Sequence, residues 1–587
     1  MILRILATVF FCQLFIHGAF AQVKSEDNIR LNQVGFYTNG PKMAIVISTI
    51  ATKFSIVDAV SNENVFTEEL TKPEVWPYSN DTCSKAVFTK FTKAGKYYIL
   101  VPGLGKSHPF SISAHVGMEA AKASLKMYYY QRASTALPEQ YAGKWARASG
   151  HPDDKVIVHP SAATATRPAG STINSKGGWY DAGDYNKYIV NSGISTYTLM
   201  SVYENYPAFF DTLKTNIPES GNKVPDILDE VLYNLRWMFT MQDEDGGLYH
   251  KLTNPNFDGN VMPDKANEPR YVIMKTTAAT LDFAAVTAQA YRVFKKFNKA
   301  LPGLADSCLA ASLKAWGWAK KNPDIKFVQG KMNSSFNPDI VTGAYDDNNL
   351  KDEFQWAAIE LYIATSKYSF YTEMNLQFTL NNAFGLPNWQ NVNTLGLYSI
   401  LANRSNLEGM DPAEIDAVKE KIIKMADEYR KSANRSAYGV PMGVTASDFN
   451  WGSNSCAGNQ GIMLLQAYSL TGEKTYFYAA MAAIDYYLGR NGTSFSFLTG
   501  FGGKATQNPH HRPSESDGIP GAIPGFIAGG PNPGMEDAAN CGGKYENKLP
   551  ATAYIDNSCS YASNEIAINW NAPFLYIAFA VEALGGK

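Results

Sequence analysis

From Val116 to the C-terminus, apolar residues recur three and four apart in eleven blocks: 117–133, 190–205, 225–242, 276–297, 306–321, 352–367, 389–403, 412–431, 455–470, 473–488 and 563–583. That spacing puts them on one side of a 3.6-residue turn and predicts helices. Long polar loops rich in Gly and Pro separate some blocks, notably 143–188, 243–275 and 491–560. Eleven or twelve helices with no strand between them exclude a parallel α/β sheet. No fixed-period repeat supports a solenoid, so a closed ring of paired helices fits best. Ahead of it, from Ile29 to Ser113, the pattern changes to short β-rich runs such as Met43–Ser48, Phe54–Val57, Lys85–Phe91, Lys96–Val101 and His108–Ser113. Their spacing predicts a small β-sandwich. It carries no polar constellation and reads as a packing or spacer module over 22–115, followed by a helical unit over 116–587.

The first residues set the compartment. Arg4, an apolar run from Ile5 to Ile16 and the small-x-small site Ala19-Phe20-Ala21 form a cleavable signal peptide over 1–21. The run is shorter than the roughly 20 residues a membrane span needs, and no later stretch is long enough. The expectation is a soluble, exported chain, periplasmic or extracellular. Five cysteines then remain: Cys83, Cys308, Cys456, Cys541 and Cys559. They are too sparse for a disulfide scaffold and match no zinc spacing. Cys541 and Cys559 either pair or stay as buried thiols.

Composition narrows the ligand. The net charge of -2, from 52 basic and 54 acidic side chains, leaves no basic excess to neutralise a phosphate backbone, which argues against nucleic acid. Charged residues are only 18% of the 587, whereas aromatics reach 13%. Those aromatics fill cores, and flat rings also suit the C–H faces of sugars.

The long loops hold the candidate chemistry. The first ends Gly177-Gly-Trp-Tyr-Asp181-Ala-Gly-Asp184. Two aspartates three apart among glycines can aim at one point and hold a water between them; capping of the next helix is the plainer alternative. The last loop carries His510-His511-Arg512, whose His-x-Arg pair can bind hydroxyls or a carboxylate, then Tyr554-Ile-Asp556 and Tyr561-Ala-Ser-Asn-Glu565. Glu565 is placed at the start of an apolar helix, where the dipole favours a carboxylate. There is no Gly-x-Ser-x-Gly elbow, phosphate loop or His-Glu-x-x-His. Carboxylates among aromatics point to glycoside chemistry, which needs two well-placed carboxyl groups.

At this point the chain resembles glycoside hydrolase family 9, the inverting β-1,4-glucanases. The stretch 177–184 is similar to the family's base-bearing motif. Ser496–Lys504 with Asn508-Pro-His510-His511-Arg512 resembles its histidine signature, and Tyr554–Ala572 its acidic one. Ile29-Arg-Leu-Asn-Gln-Val-Gly-Phe resembles the immunoglobulin-like domain that precedes the catalytic domain in one branch. The resemblance implies an (α/α)6 barrel with a cleft across one end. It implies Asp184 as general base, Asp181 helping to hold the water, and Glu565 as general acid. His510 and Arg512 would bind the sugar next to the scissile bond, and Asp556 would support the acid's loop. Trp389 and Trp451 look like the family's sugar-stacking tryptophans, with Trp179 and Tyr561 as further cleft candidates.

No cofactor is implied for the chemistry. A structural calcium is: members hold it just before the helix that here begins near Asp352, so Asp346, Asp347, Asp352 and Glu353 are its candidates, with Asn348 and Asn349 between them. The expected partner is a β-1,4-glucan, soluble or branched, such as xyloglucan or mixed-linkage glucan, bound by a monomer. Exo-acting or oligosaccharide-trimming hydrolysis, or silent glucan binding on the same barrel, are the alternatives.

Overall fold

Ten short strands open the chain: β1 (Ile29–Arg30), β2 (Gly35–Tyr37), β3 (Met43–Ile47), β4 (Lys53–Asp58), β5 (Asn64–Glu69), β6 (Glu74–Trp76), β7 (Asp81–Val87), β8 (Gly95–Val101), β9 (Gly105–Lys106) and β10 (Phe110–Ser113). The computed structural model describes residues 25–382 and 385–585, and the expected signal segment lies outside them. One sheet has the order β1-β3-β7-β6; the other has β2-β10-β8-β4-β5, with β9 on β8. Alternation dictates the packing: in β8, Tyr97, Ile99 and Val101 are buried while Tyr98 and Leu100 face outward. Phe36 meets Phe88 and Phe110 edge-on at 5.1 and 5.3 Å, closing a core separate from that of the helices.

Among the described residues, twelve of the helices that follow form two rings. The inner six are α2 (Ile189–Asn205), α4 (Thr277–Phe294), α6 (Lys351–Thr365), α8 (Asn393–Asn403), α10 (Ser453–Thr471) and α12 (Ile568–Gly585). Outside them pack α1 (Met118–Tyr130), α3 (Asp226–Thr240), α5 (Leu304–Lys321), α7 (Tyr368–Glu373), α9 (Pro412–Arg435) and α11 (Lys474–Tyr487). The sequence assigns the rings. In α12 nearly every residue from Ile568 to Glu582 is buried, whereas α9 buries only a stripe, Val418, Ile422, Ala426 and Ala433. The result is an (α/α)6 barrel.

Two features depart from the sequence expectation. A small sheet lies among the loops, in the order β12 (Thr172–Ile173), β11 (Val156–Val158), β15 (Tyr271–Val272), β14 (Lys251–Thr253), β13 (Lys187–Tyr188). Strands of two or three residues are too short for alternation to register. The sandwich is also more than a spacer. Its Asn32 donates to Asp485 (2.8 Å), Arg30 pairs with Asp81 (2.7 Å) and Tyr438, and Tyr37 donates to Glu582 (2.7 Å). Gln33 spans the neck of a loop, its Nε2 donating to Ser494 O and its Oε1 accepting from Lys504 N, both at 2.7 Å. That loop leads to His510.

Candidate active site

The Asp181–Asp184 turn is stitched to two other segments at one mouth of the barrel. Ala182 bridges Ala567, and Ile568 N donates to Asp181 O (2.9 Å). Gly183 O accepts from both the backbone N (3.1 Å) and Nη1 (2.9 Å) of Arg512. His510 in turn bridges Glu565. The crossing leaves no room for a side chain: a Cβ on Gly183 would stand 2.1 Å from His510 O and 3.2 Å from Glu565 Oε1. Three segments, two bearing carboxyls and one bearing His510 and Arg512, thus meet at one glycine.

Each carboxyl has its own setting. Asp181 is 1% exposed; Asn191 Nδ2 donates to both its oxygens (2.9 and 3.0 Å) and Tyr345 Oη to one (2.9 Å). Burial, reinforced by the neighbouring Asp184 charge, pushes it up to about 8 against those hydrogen bonds. Asp184 accepts from Asn186 and, at 3.4 Å, from Tyr188 Oη. Glu565 accepts from Gly183 N–H (3.3 Å); burial first and then Asp184 hold it well above the ordinary carboxylate range, with Arg512 opposing. Burial thus favours the neutral form of both Asp181 and Glu565.

His510 donates from Nδ1 to Ser558 O (2.6 Å), which leaves Nε2 as an acceptor. Burial keeps the imidazole below its ordinary value against the pull of that carbonyl. Asp556 lines no cleft surface. It accepts from Gln507 N and Asn508 N (2.9 and 2.8 Å) and so braces the loop that carries His510. A disulfide joins Cys541 to Cys559, next to Ser558, while Cys83, Cys308 and Cys456 are free. Arg512 is also held by Asp258 O (2.9 Å).

These groups open on a cleft of about 1560 Å³ that also takes in Phe257, Val341, Tyr345, Trp389, Trp451 and Tyr561. Trp451 and Tyr561 lie 5.4 Å apart with rings tilted by 36°, and Trp389 sits edge-on to Tyr345 at 5.1 Å. Trp451 is 46% exposed, an apolar surface of the kind that marks a ligand platform. Trp179 does not belong here. It is fully buried against Tyr128 (4.6 Å), with its Nε1 directed to Glu230, because its neighbours Gly177 and Gly178 turn it into the barrel core.

Two further expectations are corrected. Glu565 is extended backbone between a short helix over Tyr561–Asn564 and α12, so the helix dipole of α12 does not cap it. Of the calcium candidates, Asp347, Asp352 and Glu353 lie together with Asp282, whereas Asp346 sits apart from them near Lys251. Asp352 spends its oxygens on Asn349 Nδ2 (2.6 Å) and Val392 N (2.9 Å), and Asp347 accepts from Asn349 N (2.8 Å). Glu353 and Asp282 are buried with oxygens that meet no donor, and burial raises both well above the ordinary range. Among the described residues no three His, Cys, Asp or Glu side chains converge to hold a metal ion. Tyr345, Asn191, Tyr188, Phe257 and Val341 were not singled out in the sequence. No motif marks them, although the 334–350 loop that brings Val341 and Tyr345 is long for a barrel connection.

Comparison with known proteins gives concordant matches. The profile described as Glycosyl hydrolase family 9 matches residues 118–578, and Cellulase N-terminal ig-like domain matches 24–106. A xyloglucan-specific endo-β-1,4-glucanase of Bacteroides ovatus is 44% identical over 561 residues, 95% of this chain and 94% of that protein. A cellulose 1,4-β-cellobiosidase of Acetivibrio thermocellus is 33% identical, covering 94% and 67%. The solved structure of a Bacteroides ovatus protein of the same family superposes with a TM-score of 0.89 at 42% identity, covering 95% of this chain and all of that one.

Proposed function

We propose, from the premise that the chain belongs to glycosyl hydrolase family 9 and is an endoglucanase of that family, that it hydrolyses the β-1,4-glucan backbone of xyloglucan with inversion. Asp184 is the base that takes a proton from the attacking water, Asp181 helps hold that water, and Glu565 protonates the leaving oxygen. Inversion needs the acid and base roughly 6.5–9.5 Å apart with water between them. His510, through the acceptor Nε2, and Arg512 bind hydroxyls of the sugar beside the cut bond. Trp389, Trp451 and Tyr561 stack its neighbours. The chain is exported by its signal segment and acts outside the cytoplasm.

One observation carries the reading. Two carboxyls, one held protonated by burial, meet at Gly183 in the floor of an open aromatic cleft. The substrate choice draws on the 44% identity to the xyloglucan-specific relative. Proton NMR of the anomeric signals during digestion of xyloglucan and of mixed-linkage glucan tests both. α-Anomer appearing first, and faster from xyloglucan, is the expected result; β-anomer first overturns the mechanism. The cellobiosidase relative keeps an exo reading in view. A steep early fall in viscosity per reducing end released supports endo cleavage, and a shallow one supports exo.

A further inference from the structure

Lys251 is 0% exposed, at the start of β14. Its ammonium donates to Gly343 O (2.6 Å), Gln329 Oε1 (2.8 Å) and Thr342 Oγ1 (3.2 Å), and lies 5.5 Å from the Tyr188 ring centre and 5.3 Å from that of Phe327. All its acceptors are neutral, and among the described residues no carboxylate oxygen lies within 4.0 Å of it. Three other buried cations are met by carboxylates, Lys187 by Asp153 (2.7 Å), Arg132 by Glu230 (2.8 Å) and Arg292 by Glu360 (2.6 Å), whereas Lys42, like Lys251, is held by neutral oxygens alone. A buried charge without a partner is expensive unless something nearby uses its field.

The small sheet shows what that is. β13 and β14 pair Tyr188 with Lys251, and Tyr188 Oη donates to Asp184. Lys251, the Tyr188 ring and Asp184 are thus in series, and the carboxylates whose charge reaches the ammonium are Asp184 and Asp346. His250, also buried, is the other titratable group beside it. Asp184 itself faces Asp181 and Glu565, with Asp258 and His510 further off, so its other close charged neighbours are carboxyls. Arg512, the second cation of the site, acts on Glu565 and is held by backbone carbonyls.

We infer that Lys251 is a positioning residue: a buried cation behind the Tyr188 ring whose charge supports the negative charge of Asp184 through the Tyr188 hydrogen bond. The same ammonium moors the 342–343 segment of the cleft wall, two residues before Tyr345. The inference rests on Asp184 being the base. Burial draws the ammonium down to about 7, and the Asp184 charge opposes that fall, as expected of two groups that support each other's charged form.

The test is the pH profile of kcat/KM on xyloglucan oligosaccharide for the full chain, Lys251→Met and Lys251→Arg, with Asp184→Asn as reference. Losing a positive charge makes the base easier to protonate. For charges coupled across an effective dielectric near 20, the acid limb of Lys251→Met should therefore move up, by about one pH unit. Activity below the limb should fall about tenfold, and the alkaline limb should stay in place. Lys251→Arg should keep the acid limb where it is, whatever its kcat. An unmoved limb in a folded Lys251→Met protein, or an equal shift in Lys251→Arg, overturns the inference. Should the Met variant fail to fold, Lys251→Gln carries the same expectation. Asp184→Asn should be inactive; full activity there would overturn the base assignment and this inference with it.

Discussion

Glu565→Gln is the sharpest probe of the site. The amide is nearly isosteric, can still accept the 3.3 Å bond from Gly183 N–H and leaves the cleft floor intact. Substrate should therefore bind as before. What disappears is the proton held by burial and by the Asp184 charge. A positioned acid contributes about 10²–10⁴ in rate, some 3–5 kcal/mol of barrier. The dry setting of Glu565 argues for the upper part of that range. The assay is kcat on aryl β-cello-oligosaccharides with leaving groups of decreasing basicity. A poor leaving group should lose close to the full factor, and a nitrophenolate, which departs with little help, should lose far less. The wild-type alkaline limb, set by loss of the Glu565 proton, should lie above the ordinary carboxylate range and vanish in the variant. An equal loss across all leaving groups would refute the assignment of Glu565 as the acid.

Four other outcomes follow from the same geometry. Tyr345→Phe removes one donor to Asp181 (2.9 Å); kcat should fall about fivefold, worth about 1 kcal/mol, with KM little changed in steady-state kinetics. Gly183→Ala, with its Cβ driven to 2.1 Å from His510 O, should lose 1–3 kcal/mol of stability by denaturant titration and nearly all activity. Cys541→Ser opens a disulfide across a separation of 18 residues beside Ser558; calorimetry should show a lower Tm for a loss of about 3 kcal/mol, and kcat should drop as His510 loosens. Dialysis against a chelator should leave activity unchanged, because the Asp347, Asp352 and Glu353 cluster is separate from the carboxyl pair that meets at Gly183.

The barrel was legible because its helices are long: spacings of three and four over a dozen residues leave a pattern that neighbours cannot hide. The sandwich was legible for the same reason at period two. Turns and close approaches were not. Gly177 and Gly178 flank Trp179, yet which way a tryptophan turns after two positive-φ glycines is a tertiary fact. Glu565 sits within a run that reads as helix, and only the bridge to His510 shows why the backbone is extended there. Tyr345 and Lys251 carry no motif at all; each matters through a partner some 65 or more residues away in sequence. The acidic run near Asp352 suggested a cation, but nothing in the sequence showed that Asp282, from another helix, would join it.

Gln33 gives the N-terminal sandwich a stake in the chemistry of the barrel. One side chain grips both ends of the loop that continues to His510 and Arg512, so the two cores are wired together at the catalytic mouth rather than strung along a tether. Heat absorbed by one must be felt by the other: the chain should melt in a single calorimetric transition. A graft that keeps the barrel and exchanges the sandwich would have to carry the grip with it. For the protein engineer the unit of inheritance here is the seam, not the domain.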